Sequence, residues 1–282
     1  MSIAKVRTMK KAPPQDALRI SRTRRAFCAA AATVLAGCAA TGSTPPASAV
    51  AELGGTGKLR AAINFGNPVL ATKDAAGAPQ GVSVDLAREL ARRLNVPVEL
   101  VTYDAAGRVF DAIKTGAWDI AFFAIDPARA VDVSFSQPYI EIEGVYLVPA
   151  GSPIRTNVDV DRAGTRVVVG RGSAYDLYLT REIKAATLVR APTSQAVVDV
   201  MLADRLDVAA GVRQQIEADA KRVSGVRVLG ERFMVIRQAM GTPRGREAGA
   251  RYLDAFVEEM KASGFVRRSI DRHGVDGVTV PK

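Results

Sequence analysis

Between residues 58 and 264, short apolar runs alternate with longer segments in which apolar residues recur every three or four positions. The first pattern is typical of buried β-strands and the second of amphipathic helices. The segment SVDLARELARRL, for example, places Leu86, Leu90 and Leu94 on one helical face. Strands and helices alternate from KLRAAINF to WDIAFFAI, which predicts a parallel sheet covered by helices on both faces.

The same α/β order begins again at the strand TRVVVG and ends at the strand GVRVL. Both series contain the motif helix, turn, Asp, apolar strand, in DAIKTGAWDIAF and DVMLADRLDVAA, where Asp119 and Asp207 follow an earlier Asp by eight positions. Extended segments near 140–149 and 233–240 bracket the second series. The pattern predicts two similar lobes joined by two hinge crossovers, with a ligand cleft between them. The predicted boundaries are 57–142 plus 237–282 for lobe 1 and 143–236 for lobe 2.

Residues 1–38 have the order of an export signal, because basic residues precede a short apolar run that ends in small residues. Arg24 and Arg25 resemble a twin-arginine signal. The sequence LAGC resembles a lipobox, in which Cys38 would be lipidated, and a cut after ASA at residues 47–49 is the alternative. Either cut predicts a periplasmic protein, and the lipobox cut alone would attach it to the membrane, through a lipid on Cys38. Residues 39–56, rich in small residues, Pro and Gly, are predicted to form a flexible tether.

The net charge of +10 is concentrated in the export signal, where eight basic residues stand against one acidic residue. The rest of the chain carries only +3, which argues against binding to nucleic acid. Cys28 and Cys38 both lie in the signal, and His273 is the single histidine. The body therefore offers no disulfide and no ordinary zinc site, and we expect neither a metal nor a cofactor. His273, beside a glycine, is interpreted as a solvated residue at a helix C-terminus.

The segment FFAIDPARAV places two charges, Asp126 and Arg129, in an otherwise apolar run. Asp126 before Pro127 predicts the start of a helix, with the carboxylate as its cap. Arg129 would then lie in the first helical turn, where a cation gains nothing from the helix dipole. Its guanidinium either binds an anion or forms a surface ion pair.

The segment VVVGRGSAYD predicts a strand, a turn and the start of a helix. A dinucleotide-binding motif would require a further glycine where Tyr175 stands and an acid where Arg190 ends the next strand. Backbone N–H groups at Gly172 and the Ser173 hydroxyl are instead candidates to bind a carboxylate. The alternative is that Ser173 serves only as an N-cap.

Together these segments resemble the family 3 solute-binding proteins, the periplasmic receptors of polar amino acid ABC importers. The resemblance covers residues 58–273 and is most specific in the phrase from Arg129 to Tyr139. It implies a type II, two-lobed periplasmic binding protein of the α/β class, each lobe a central sheet flanked by helices. It also implies that Arg129 clamps a carboxylate, that Gly172 and Ser173 donate hydrogen bonds from lobe 2, and that Phe65 covers the ligand.

The chain departs from the family pattern where the ligand's ammonium group is held. Ala124 replaces a hydroxyl-bearing residue, Phe122 replaces a small or hydroxylic one, and Val212 stands where a carboxylate is expected. Asp126 stands where the family has a threonine, and both residues can cap the start of a helix. A buried ammonium without partners costs several kcal/mol, so the resemblance implies a carboxylate ligand without a normally held α-amino group. The other acids expected nearby are Asp126, Glu141 and Glu143.

The resemblance therefore implies a monomeric receptor that is not an enzyme, binds a small carboxylate and delivers it to an ABC permease. An enzyme of the cyclohexadienyl dehydratase type shares this scaffold and would need an acid in the cleft. A ligand-sensing or partner-binding lipoprotein is the remaining alternative.

Overall fold

The computed structural model describes residues 44–282. The predicted export signal, its lipobox cysteine Cys38 and residues 39–43 of the predicted tether lie outside the described residues. Within 44–282, no helix has both the length and the apolar character needed to cross a membrane.

The predicted strands and helices from residue 58 onward are present, with ends shifted by a few residues, except for the helix predicted to start at Asp126. The helices are α1 (Ala47–Gly54), α2 (Val82–Leu94), α3 (Ala106–Asp111), α4 (Ala174–Glu182), α5 (Val197–Ala203), α6 (Arg213–Arg222), α7 (Glu247–Ala262) and α8 (Phe265–Arg272). Short 3₁₀ turns occupy Ala112–Thr115 and Asn157–Asp159. The strands are β1 (Leu59–Asn64), β2 (Thr72–Lys73), β3 (Pro79–Gln80), β4 (Val98–Tyr103), β5 (Ile120–Ala124), β6 (Val133–Pro149), β7 (Arg166–Gly170), β8 (Thr187–Ala191), β9 (Val208–Val212), β10 (Val226–Val228) and β11 (Met234–Pro243).

Nine strands form one sheet in the order β4-β1-β5-β11-β6-β9-β7-β8, with β10 also on β6, and β2 pairs with β3 apart from it. Strand β1 runs parallel to β4 and β5, and β7 runs parallel to β8 and β9. The long strands β6 and β11 are antiparallel and connect the two parallel halves. We call the half with β4, β1 and β5 lobe 1 and the half with β9, β7 and β8 lobe 2. The boundaries predicted at 142/143 and 236/237 fall inside β6 and β11 and stay predictions.

The repeated Asp motif forms the same contacts in both lobes. In lobe 1, Asp119 accepts hydrogen bonds from the backbone N–H and Nε of Arg60, both at 3.0 Å. In lobe 2, Asp207 accepts them from the backbone N–H and Nε of Arg166, at 2.9 and 3.0 Å. In each case the arginine lies at the start of the first strand of the lobe and the acid directly precedes a neighbouring parallel strand, so their contact ties the two strands together.

Asp119 is the more buried of the two acids, because its side chain is 4 % exposed while that of Asp207 is 38 % exposed. Burial acts to raise the pKa of Asp119, but the hydrogen bonds from Arg60 and Arg246 outweigh it and lower the pKa. Breaking a buried ion pair removes more stability than breaking an exposed one.

The Asp119→Asn variant should therefore unfold more easily at pH 7, by roughly 1–3 kcal/mol. Since the folded-state pKa is lowered, Asp119 stabilises the fold above the unfolded-state pKa of about 4 and loses this effect as the pH falls through the folded-state pKa. The difference between the native protein and the variant should shrink below about pH 4. Urea unfolding midpoints measured across a pH series test this.

Asp207→Asn is the matched control, and its effect should stay within about 1 kcal/mol because the equivalent ion pair is half-exposed. Equal losses in the two variants, or a constant difference across the pH series, would contradict this explanation.

The predicted tether is wrong for residues 47–54, which form helix α1. Alanine is the best helix former, and Ala49 and Leu53 lie on one face and are fully buried. This face packs on α7, where the backbone N–H of Gly249 donates to Glu52 at 2.7 Å. A side chain at Gly249 would meet Leu53 Cδ2 at 2.9 Å. Packing against α7 therefore orders a segment whose composition alone indicates a linker.

Candidate functional site

Arg129 lies between the lobes and is 2 % exposed. Its Nη1 donates to the Ala124 carbonyl at 3.0 Å, and its Nη2 donates to the Gly172 carbonyl of lobe 2 at 2.8 Å. The guanidinium lies over the Phe123 ring, 5.3 Å from its centroid. Burial lowers the pKa of Arg129 to about 10 against an opposing effect of Asp126, so the group is a cation at neutral pH.

Arg129 forms no ion pair with any residue of the described chain, since no carboxylate oxygen lies within 4.0 Å of it. The surface ion pair considered for this residue is therefore wrong. The two carbonyl acceptors are neutral and use only part of the donors of a guanidinium. A buried cation with neutral partners alone is costly, which favours an anionic ligand at this position.

The helix predicted to start at Asp126–Pro127 is absent. Residues 127–132 form consecutive turns, because β6 begins at Val133 and leaves no room for a helix. Asp126 still caps the turn by accepting a hydrogen bond from the Ala128 N–H at 2.8 Å. Its carboxylate also pairs with Arg181 of α4 at 2.8 Å, so it does not face the ligand position.

A cavity of about 30 Å³ lies directly beside Arg129. Five of the residues singled out from the sequence line it: Phe122, Ala124, Arg129, Ser173 and Val212. The other lining residues are Asn64, Gly66, Asn67, Ala106, Phe123, Ala174, Tyr175, Ser194, Ile236 and Gln238. We call this space the inner cavity. Its volume admits water but no organic acid, because one water needs roughly 10–15 Å³.

Phe65 does not line the inner cavity, and its role as a cover for the ligand stays a prediction. Its ring lies beneath the Lys73 ammonium, 5.2 Å from the ring centroid. Its backbone instead reaches across the cleft, where the carbonyl accepts a hydrogen bond from Gln195 Nε2 at 2.7 Å.

The donors predicted at the start of α4 are largely engaged within lobe 2. The Gly172 N–H donates to Asp176 Oδ2 at 2.8 Å, so this amide is not free to bind a ligand. Ser173 is the N-cap of α4 and accepts from the Asp176 N–H at 3.0 Å. Its hydroxyl hydrogen remains available because the oxygen acts there as an acceptor. The prediction is therefore wrong for the Gly172 amide, whereas Ser173 caps the helix and also lines the inner cavity.

Several polar residues of the inner cavity were not predicted from the sequence. Gln238 Oε1 is buried and has no hydrogen-bond partner in the described chain. The Tyr175 hydroxyl lies beside the side chains of Ser173 and Ser194, and burial raises its pKa, so it is neutral. A buried polar atom without a partner is costly, and Gln238 Oε1 is therefore positioned to bind a ligand's polar group. The other missed polar residues are Asn64, Asn67 and Ser194.

The expected acids are absent from the lining of the inner cavity. Glu141 pairs with Arg237, and Glu143 pairs with Arg213 and Arg232. His273 is not solvated as interpreted, because its Nε2 contacts the Asp85 carboxylate at 2.9 Å. Among the residues described, the inner cavity therefore contains one cation and no carboxylate.

The lobes touch at two glycines, one on each side of the cleft. A side chain on Gly172 would meet the Cα of Gly107 at 2.7 Å, and Gly172 has a φ of 68°, which disfavours other residues. The Gln195–Phe65 and Arg181–Asp126 contacts also cross the cleft. These contacts identify the structure as a closed form.

Two parallel half-sheets, two crossing strands and a buried cation in the cleft define a two-lobed binding protein of the periplasmic type. The chain matches the family model of the bacterial extracellular solute-binding proteins, family 3, over residues 59–275, and it belongs to that family. This confirms the resemblance and the fold class predicted from the sequence.

Solved structures with the same fold include proteins of different roles. A mutant of ArgBP from T. maritima is 21 % identical, with a TM-score of 0.69 over 81 % of this chain and 100 % of that chain. An ancestral amino acid-binding protein, a precursor of cyclohexadienyl dehydratase, is 22 % identical, with a TM-score of 0.67 over 79 % and 98 %. A histidine kinase sensor domain is 19 % identical, with a TM-score of 0.68 over 79 % and 98 %.

Proposed function

We propose that this protein is the extracytoplasmic receptor of an ABC importer and closes on a small organic carboxylate. The observation that carries the proposal is Arg129, a buried cation in the cleft with only two neutral carbonyl partners. An ionised carboxylate makes stronger hydrogen bonds to a guanidinium than a peptide carbonyl does. A ligand can therefore displace the Gly172 carbonyl and link the lobes in its place.

The ligand proposed here carries no α-ammonium group. Ala124 and Val212 both line the inner cavity, and neither offers a partner to a cation. The acceptor without a partner, Gln238 Oε1, is neutral, and so is the Tyr175 hydroxyl. Neutral acceptors suit a hydroxyl or amide N–H on the ligand, whereas a buried ammonium would lack a counter-charge. A 2-hydroxy acid or a related deaminated acid fits this arrangement.

A dehydratase needs a proton donor beside the leaving hydroxyl group. The described residues that line the inner cavity include no carboxylic acid, and the Tyr175 hydroxyl has its pKa raised by burial. Both facts support binding over catalysis at the inner cavity.

Lipid anchoring at Cys38 also belongs to the proposal. A cut after Ala49 would divide helix α1, whose buried residues Ala49 and Leu53 pack within lobe 1. A cut before Cys38 leaves the helix whole. The packing of α1 therefore favours the lipobox over the alternative cut.

A thermal-shift panel on the purified protein tests the proposed ligand class. The panel pairs α-amino acids with the 2-hydroxy and deaminated acids of the same side chain. A ligand at a hundred times its Kd stabilises the fold by about 2.7 kcal/mol. We expect shifts with the hydroxy or deaminated acids and none with the matched amino acids. Arg129→Gln should abolish the shifts.

If amino acids produce the larger shifts, the ligand carries an ammonium group and the assignment based on Ala124 and Val212 is wrong. If the shifts persist in Arg129→Gln, the carboxylate does not bind at Arg129. Turnover of prephenate by the native protein would instead favour the dehydratase.

A further inference from the structure

A second, larger cavity of about 400 Å³ lies on the other side of Arg129. Its lining combines lobe 1 residues from α3 and the turn after β5 with lobe 2 residues around Gly172. We call it the outer cavity, and its volume is that of a small-molecule site. The lining residues used below are Arg108, Phe110, Asp111, Arg171, Leu177 and Pro192.

The outer cavity has an excess of positive charge. Arg108, Arg129 and Arg171 line it together with a single acid, Asp111. Arg171 is exposed and forms no ion pair with the described part of the chain. Arg108 pairs only with Asp104, and that pair is more than half exposed on both sides and contributes little. Two guanidinium groups are therefore available to a ligand here besides Arg129.

Carbon surfaces line the outer cavity together with its cations. Phe110 of lobe 1 and Leu177 and Pro192 of lobe 2 provide apolar walls. Such walls suit the methylene chain of a ligand whose two ends are charged.

Arg129 lines both cavities, and Gly107 and Gly172, whose carbonyl accepts from Arg129, line the outer one. A ligand carboxylate that takes the place of the Gly172 carbonyl would lie at the residue that the two cavities share. A ligand carboxylate bound at Arg129 then has its remaining atoms directed either into the inner cavity of about 30 Å³ or into the outer cavity of about 400 Å³. The outer cavity is the one with room for a chain.

We propose that the outer cavity is a second anion subsite, formed by Arg171 and Arg108, and that the ligand is a dicarboxylate bridging it to Arg129. This inference rests on the proposed function, because it takes Arg129 as the site of the first carboxylate. It adds the position and the charge of the far end of the ligand.

Isothermal titration with two series of acids tests the proposal. Succinate, glutarate and adipate carry a second carboxylate, and butyrate, valerate and hexanoate are their monocarboxylate equivalents. A charge-assisted hydrogen bond to Arg171 should make the dicarboxylate of matching length bind at least about tenfold more tightly than its equivalent. In Arg171→Gln, the advantage in affinity of the dicarboxylate over its monocarboxylate equivalent should fall below about threefold. It should decrease further in the double variant Arg108→Gln/Arg171→Gln. The affinity for the monocarboxylates should stay unchanged in both variants.

Arg251→Gln, an exposed change on α7 away from both cavities, is the control and should preserve the advantage. Equal affinities for the two series, or an advantage that persists in Arg108→Gln/Arg171→Gln, overturns the second subsite while the carboxylate receptor stands. If neither series binds but amino acids do, the carboxylate assignment itself fails and the subsite fails with it.

Discussion

Replacing Arg129 by glutamine is expected to reduce the affinity for the ligand about 100-fold or more, which corresponds to about 3 kcal/mol. The side chain is buried between the lobes and has no anionic partner in the described chain. Its charge is therefore available only to a ligand. Glutamine keeps a polar amide but is shorter than arginine and cannot neutralise a carboxylate. Titration calorimetry with the best acid from the thermal-shift panel measures the loss.

Arg129→Lys separates charge from geometry. Lysine keeps the positive charge but loses the planar fork that binds both oxygens of a carboxylate. We expect an affinity between those of the native protein and Arg129→Gln. Circular dichroism and the ligand-free melting temperature show whether each variant is folded. Unchanged affinity in a folded Arg129→Gln variant would contradict a carboxylate site at this residue.

Replacing Gly107 by valine is expected to weaken ligand binding by about tenfold to a hundredfold without unfolding lobe 1. A Cβ on Gly107 would lie 3.2 Å from the Arg171 carbonyl oxygen and 3.3 Å from the Gly172 Cα, so valine would hold the lobes apart. Gly107 lies in helix α3 and has no left-handed φ, so the substitution adds no backbone strain. Small-angle scattering should show that ligand compacts the native protein but not the variant.

Gly151→Val is the matched control, because a side chain at Gly151 meets nothing within 4 Å. It should bind and compact like the native protein. If Gly107→Val closes and binds normally, the glycine contact does not determine how far the lobes approach.

The order of strands and helices could be predicted from the sequence because burial imposes a periodicity on it. Leu86, Leu90 and Leu94 recur at helical spacing and are all buried in α2, and β5 is apolar at every position. The repeat containing Asp119 and Asp207 predicted two similar lobes, and the Arg60 and Arg166 partners show why the motif recurs. Helix α1 was not predicted, because its formation depends on packing against α7, which is distant in sequence.

The candidate site was less predictable, because its geometry depends on how two lobes close. Phe65 was predicted to cover the ligand from its position in the family motif, but its ring lies under Lys73 and outside the inner cavity. Gln238 could have been found from the sequence. Ile236, Gln238 and Met240 occupy every second position of β11 and are all buried. A polar residue in such an apolar row needs a hydrogen-bond partner. The contact between Gly107 and Gly172 had no sequence signal, because glycines also occur in ordinary turns.

A crystal structure of the protein with its best-binding carboxylate would show directly whether Arg129 binds it. The ligand carboxylate should lie within about 3 Å of the Arg129 terminal nitrogens, with the Gly172 carbonyl displaced from Nη2. A ligand bound elsewhere, with Arg129 still donating to both Ala124 and Gly172, would contradict this prediction.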